Sequence, residues 1–273
     1  TKTVIMLPGP PGELCPIFEE EILPYLKQRR ETVLVSKNIH NFGMGESAVE
    51  EKLKELMTES KNPTVAPYCK EGEVRLRVTA ESDSEEHAAR LCDEMIERIA
   101  KTEVSPYIYG IDVGTLEQTV VEKLRKEGKT LATAESCTGG LVAKTITDVG
   151  GCSAVYLGGV VSYANEVKTD VLGVQKSTLD TYGAVSEHTA KEMARGVKNL
   201  CHADIGISTT GIAGPGGGTK EKPVGTVYVG FCHKDTSVAF NLGLDPSLSR
   251  DEIRRITVDK ILAYVYDKIS QSY

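Results

Sequence analysis

Three short stretches of this chain hold residues whose types and order can do chemistry. The first is Ala134-Glu135-Ser136-Cys137-Thr138-Gly139-Gly140. Residues 130–134 read as a strand and residues 139–149 as a helix, so the serine stands at a strand-to-helix turn. A helix start presents unpaired amides and a positive partial charge. Those amides are placed to hold the oxyanion formed when Ser136 attacks a carbonyl. The same residues also fit a plain cap, with Ser136 or Thr138 answering the amides and the glycines permitting the turn. Cys137 is a rival nucleophile, because a helix N-terminus lowers a thiol pKa. It fits a small buried thiol equally well.

The second stretch, Ser162-Tyr163-Ala164-Asn165-Glu166-Val167-Lys168, follows a predicted strand over 155–163. In a parallel sheet it opens on the same edge as Ser136. Tyr163 and Lys168 can then take the serine proton, provided burial lowers the lysine well below its free value of about 10.4. The alternative is a core tyrosine, an Asn165 helix cap and a solvated lysine. The third stretch runs from Thr209 and Thr210 through Gly211, Gly214 and Gly218, after a predicted strand over 205–210. Glycines let backbone amides approach a phosphate closely. The P-loop pattern is absent, although Lys220 and Lys222 follow. A mobile loop is the other reading. No histidine lies near Ser136 in sequence to serve as its base.

The elements that must position these stretches form one segment, residues 112–273. It opens with a capping box, Thr115-x-x-Gln118, and a helix with Leu116, Val120 and Leu124 inward that stops at Gly128. Strands and helices then alternate, with helices over 166–172 and 187–201, the latter capped by Ser186. A hairpin over 225–242 and a last helix from Arg250 complete it. That order predicts a three-layer α/β/α fold on a mixed sheet. Upstream, residues 31–109 read strand, helix, two strands around Glu71-Gly72, then helix, a small α+β module. Its last helix is expected to open with a Ser82-x-x-Glu85 box, and its inner stripe is Ala88, Leu91, Cys92, Met95, Ile96 and Ile99. Residues 3–7 read as a short strand and residues 13–29 as a helix that Pro24 should kink or end. So little apolar surface cannot make a core. Residues 1–30 are therefore expected to be the tail of a larger domain.

Composition bounds the function. With 40% hydrophobic and 26% charged residues among 273, the chain is ordinary globular material. It has no apolar run long enough for a bilayer and no signal-peptide pattern. Seven cysteines without a C-x-x-C pair indicate neither a disulfide framework nor a zinc site, and fit a reducing cytoplasm. A net charge of −7 argues against a broad nucleic-acid surface, though not against a small phosphate ligand. Residues 31–109 are themselves acidic, with ten lysines and arginines against sixteen aspartates and glutamates.

AESCTGG, GGVVSYANEVKTDVLGV, YGAVSEHTA and TTGIAGPGGGTKEKPVGTVYVG resemble, in order and spacing, the C-terminal domain of the competence/damage-inducible CinA family. The resemblance covers about residues 112–266. Upstream, VIMLPGPPGEL is similar to the end of that family's molybdopterin-binding-like domain, and the middle module to its KH-type domain. The resemblance implies a nicotinamide-nucleotide amidohydrolase that turns nicotinamide mononucleotide into nicotinic acid mononucleotide and ammonia. It implies Ser136 as nucleophile, Tyr163 and Lys168 as proton-transfer partners, and Glu135, Thr210 and Gly211 lining the site. Cys137, Thr138, Gly139, Gly140, Asn165 and Gly214 are expected around the same substrate. No cofactor or metal is expected, nor a membrane partner, and the chain is expected as a cytoplasmic homodimer. The middle module departs from the KH pattern: Gly43-Met44-Gly45 stands where a GXXG clamp is needed, so RNA binding is not expected there. A metal-dependent phosphohydrolase and a non-catalytic nucleotide-binding regulator are the competing functions.

Overall fold

A computed structural model describes residues 3–29, 32–70 and 73–270. The chain divides into two compact units, Thr1–Asp112 and Val113–Tyr273. The first begins with helix α1 (Pro11–Ile17), a π-helical turn (Phe18–Ile22) and helix α2 (Leu23–Lys27). Residues 3–7 form no strand, which corrects the expectation from their β-branched composition: a strand needs a ladder partner, and composition supplies none. The chain stays right-handed helical through Pro24, which lies inside α2, and the irregularity is the π turn ahead of it. Proline has no N–H to donate and crowds the preceding turn, and the widened π turn just before it absorbs the mismatch. None of the described residues of this segment is buried.

The rest of the first unit comprises β1 (Val33–Phe42), α3 (Glu46–Glu59), β2 (Thr64–Lys70), β3 (Glu73–Ser82), α4 (Glu85–Ile99) and β4 (Ile108–Ile111). The strands make an antiparallel sheet in the order β2-β3-β1-β4. β3 alternates buried and half-buried residues, so one face packs inward. Ile39, Leu76 and Val78 of that face meet Leu53 of α3 and Cys92, Met95 and Ile99 of α4 in one core. The predicted α4 stripe is buried except Leu91, which packs partly exposed at its margin. The cap lies two residues later than expected. Ser84, not Ser82, accepts the His87 amide. Ser82 still belongs to β3, opposite Val33, and its hydroxyl bonds the side chains of Asp83 and His87.

The second unit opens with α5 (Leu116–Lys126), and of the predicted Thr115/Gln118 box one half is made. The Thr115 amide donates to Gln118 Oε1 at 3.0 Å, while the Thr115 hydroxyl accepts from no amide among the described residues. Then follow β5 (Leu131–Glu135), α6 (Leu141–Thr147), β6 (Tyr156–Val161), α7 (Asn165–Asp170), α8 (Lys176–Tyr182) and α9 (Glu187–Leu200). The unit closes with β7 (Ile205–Gly211), β8 (Val227–His233), β9 (Thr236–Asn241) and α10 (Arg250–Ser270). The sheet order is β6-β5-β7-β8-β9, with β5 parallel to both neighbours and β8 and β9 antiparallel. This is the expected mixed sheet. β7 is buried along nearly its whole length, as a strand covered on both faces must be. α9 packs against β5, β7, β8 and β9, while α5, α6 and α10 pack together with α10 reaching β8. α9 lies so close to the sheet that only glycine fits beneath it. A Cβ on Gly206 would stand 2.1 Å from the Ala194 carbonyl, and one on Gly230 2.3 Å from that of Ala190.

The order of the strands matters for function. The chain leaves β5 toward β6 on one side and returns to β7 on the other. The carboxyl end of β5 is therefore a topological switch point, where open α/β sheets leave a crevice. Ser136 is the first residue beyond it.

Candidate active site

Glu135 stands level with Val161 of β6 and Thr209 of β7, so the three chemistry-bearing stretches leave one edge of the sheet, as expected. Ser136 is tied to both neighbours. Its amide donates to the Thr209 carbonyl at 2.9 Å, and the Ser162 amide donates to the Glu135 carbonyl at 2.8 Å. Ser136 itself is half-buried, open enough to meet a substrate.

Lys168, on the short helix α7, is among the most deeply buried side chains of the protein, at 1% exposure. Its Nζ lies 3.3 Å from Ser136 Oγ and donates to the carbonyls of Ser162 at 2.5 Å and Tyr163 at 3.4 Å. No carboxylate pairs with it among the described residues. Burial lowers its pKa below the ordinary lysine value, because the charged ammonium loses water. A buried amine beside a serine hydroxyl is the arrangement in which lysine serves as a base.

The helix amides are placed differently from the sequence expectation. Glu135 Oε2 accepts from Thr138 Oγ1 at 2.7 Å and from the amides of Gly140 and Val142 at 2.9 and 3.0 Å. Its Oε1 accepts from the Ala143 amide at 2.8 Å. The start of α6 is thus closed by a protein carboxylate and is not open to an oxyanion. The attraction of a helix start for negative charge is satisfied by the residue before the nucleophile. Gly139 and Leu141 donate to the carbonyls of Ser136 and Thr138. Thr138 is fully buried between Glu135 and Thr209, whose hydroxyl lies 2.7 Å from its own. Cys137 is buried too, and burial pushes its thiol up to about 11. It is a protonated packing residue at neutral pH. Gly139 and Gly140 take positive φ of 60° and 93°, the left-handed turn that glycine permits without strain.

Tyr163 is 65% exposed, and its hydroxyl accepts from Arg250 at 3.3 Å rather than meeting Ser136. Asn165 is exposed at the first position of α7, with Ala164 at the cap position. Arg250, which opens α10, also donates to the Gly214 carbonyl at 2.9 Å, bridging the tyrosine and the glycine-rich loop. One turn on, Arg254 donates to the Thr138 carbonyl at 2.7 Å. Sequence reasoning missed both arginines: Arg250 lies 87 residues from Tyr163 and Arg254 lies 116 from Thr138, although Arg250 is only 36 from Gly214. Their spacing of four, one turn apart at the start of a helix, was the available signal. Thr210 is buried and donates to the Ala184 carbonyl at 2.7 Å. Gly211 has no room for a Cβ, which would lie 2.7 Å from Val227. Lys222 is held by the carbonyls of Tyr182 and Val185 at 2.9 and 2.7 Å, so it anchors the glycine-rich loop, whereas Lys220 is exposed. Among the described residues no three His, Cys, Asp or Glu side chains gather as a metal site, and no helix is long and apolar enough to cross a membrane.

The model of the CinA C-terminal domain matches residues 113–269, and that of the damage-inducible protein CinA KH domain matches residues 36–110. The chain belongs to the CinA family. It is 51% identical over 257 residues to a protein of Thermoanaerobacter pseudethanolicus named as competence-damage inducible, covering 94% of this chain and 61% of that one. It is 49% identical over 260 residues to a CinA-like protein of Kosmotoga olearia, covering 94% of this chain and 63% of the other. The chain therefore spans about three fifths of these relatives. Among solved structures, competence/damage inducible protein CihA from Agrobacterium tumefaciens matches with a TM-score of 0.55 at 39% identity, over 58% of this chain and 98% of that one. A CinA superfamily protein from Klebsiella pneumoniae matches with a TM-score of 0.55 at 33% identity, over 57% and 96%. The second unit thus has the fold of this family, and the first carries its KH domain.

Proposed function

We propose that the second unit hydrolyses the carboxamide of nicotinamide mononucleotide to nicotinic acid mononucleotide and ammonia, with Ser136 as nucleophile and Lys168 as its base. The observation that carries this reading is the buried Lys168 amine 3.3 Å from Ser136 Oγ with no carboxylate partner. Neutral Lys168 takes the Ser136 proton as Oγ attacks the carboxamide carbon, which the cationic pyridinium makes electrophilic. The oxyanion faces the amides of Cys137 and Thr138, the position that follows the nucleophile in other strand-to-helix serine sites. The Lys168 ammonium then protonates the departing nitrogen, ammonia leaves, and a serine ester remains. Water attacks that ester with Lys168 again as base, releasing the carboxylate and restoring the Ser136 hydroxyl. The phosphate goes to the glycine-rich loop and Arg250, whose guanidinium already donates to the Gly214 carbonyl of that loop.

The test is ammonia release from nicotinamide mononucleotide in EDTA, beside the same assay with nicotinamide riboside. Metal-independent release that falls at least tenfold without the phosphate supports the reading, since a charge-assisted hydrogen bond contributes about 1.5–3 kcal/mol. Binding of the nucleotide without release would make this a non-catalytic regulator. Release only with a divalent ion would overturn the serine–lysine mechanism.

A further inference from the structure

Tyr163 stands apart from the groups that the reaction uses. Its carbonyl touches the catalytic lysine, its ring is among the most exposed aromatic surfaces of the protein, and its hydroxyl points away from Ser136 to Arg250. A tyrosine kept for packing is buried, and one kept for proton transfer meets the nucleophile. This residue does neither.

Four contacts set out a row. Ser136 Oγ and the Tyr163 carbonyl both lie on Lys168 Nζ, at 3.3 and 3.4 Å. The Tyr163 ring leads from there to Arg250 at 3.3 Å, and Arg250 leads to the Gly214 carbonyl at 2.9 Å. The order from nucleophile to glycine-rich loop is hydroxyl, phenol ring, guanidinium, loop. A pyridinium mononucleotide has its groups in the matching order: carboxamide, cationic ring, ribose, phosphate. We propose that the exposed face of the Tyr163 ring is the platform on which the cationic ring of the substrate stacks, which makes Tyr163 a specificity-determining residue for pyridinium nucleotides. This rests on the amidohydrolase reading for the substrate class. An electron-rich phenol face attracts a cation over it, and a flat heteroaromatic ring adds stacking area. A neutral pyrimidine ring gains only the second. Arg250 anchors the phenol edge, so the platform is oriented before the ligand arrives, which limits the ordering cost of binding.

The chain contains no tryptophan, so Tyr163→Trp introduces a single indole reporter. Stacking predicts that nicotinamide mononucleotide quenches that indole and produces a charge-transfer absorption band, while uridine monophosphate, with a neutral ring and the same phosphate, produces no such band. In the amidase assay, Tyr163→Leu raises KM about tenfold or more with kcat changed less than threefold. Tyr163→Phe recovers most of that KM, because the ring is retained. No band in the Tyr163→Trp protein, together with an unmoved KM in Tyr163→Leu, overturns the platform while leaving the amidohydrolase reading intact. A kcat loss shared by Tyr163→Phe and Tyr163→Leu at unchanged KM overturns it in favour of proton transfer by the hydroxyl. A band in a protein that releases no ammonia upholds stacking and removes the reaction. Neither band nor ammonia removes both.

Discussion

Each unit buries a polar cluster where strands meet, and the two are built to opposite ends. In the first, Glu73 Oε1 pairs with His40 Nδ1 at 2.6 Å and accepts the Tyr109 hydroxyl at 2.7 Å, while that hydroxyl lies 3.3 Å from His40. The three side chains answer one another and tie β4 to β1 and β3. In the second, the Glu135 carboxylate takes four donors, whereas Lys168 meets two carbonyls and one serine hydroxyl. The acid has been separated from the base and given other work. Had the two met, Lys168 would stay charged and Ser136 would remain an ordinary alcohol. A buried polar cluster becomes reactive when one member is left with weaker partners than it can use.

The sharpest break of that contrast is Ser136→Ala. Ammonia release should fall below detection while nucleotide binding and folding persist, since Ser136 is not the cap of α6. Cys137→Ala beside it should retain most activity, because a thiol held near 11 is no nucleophile at neutral pH. An active Ser136→Ala with a dead Cys137→Ala would move the mechanism to the thiol.

Lys168→Met comes next and should cost about a hundredfold in kcat, the scale of a lost acid–base group. The pH profile checks the same point independently. Lys168 works uncharged and burial holds its pKa below the ordinary 10.5, so kcat/KM should rise with pH and level off below that value. A flat profile in the wild type would remove lysine as the base.

The two carboxylates supply the smallest effects. Glu135→Gln turns an amide NH2 toward donors already crowded there, and should cost about 2–3 kcal/mol in denaturant unfolding. Glu73→Gln should cost about 1 kcal/mol, with kcat/KM within twofold of wild type. Equal losses of activity in both variants would mean that the clusters do not differ in the way described.

Much of this is legible in the chain itself. Ser136 and Lys168 follow strands whose apolar runs are plain, and parallel strands bring their ends to one edge. The α4 stripe and the Thr115 start of α5 read correctly because they depend on near neighbours. What stays hidden depends on reach. Glu135 caps α6 from outside the helix, bonding amides five, seven and eight residues ahead, which no cap rule at Gly140 announces. Arg250 and Arg254 come from the last helix, and only the folded sheet brings them to the turn. α8 is short and rich in Ser, Thr and Asp, residues that favour turns when read locally. The strand expected over 3–7 failed for the complementary reason, since its composition lacked a partner.

Fastening the nucleophile loop at Thr209, at Ser162 and through the Glu135 carboxylate has a thermal consequence. A serine already locked in place gives up little disorder on the way to the transition state. The barrier should then be almost wholly enthalpic, so that an Eyring plot of kcat is straight with an intercept near zero activation entropy. Turnover would quicken steeply with warming until the unit itself begins to melt.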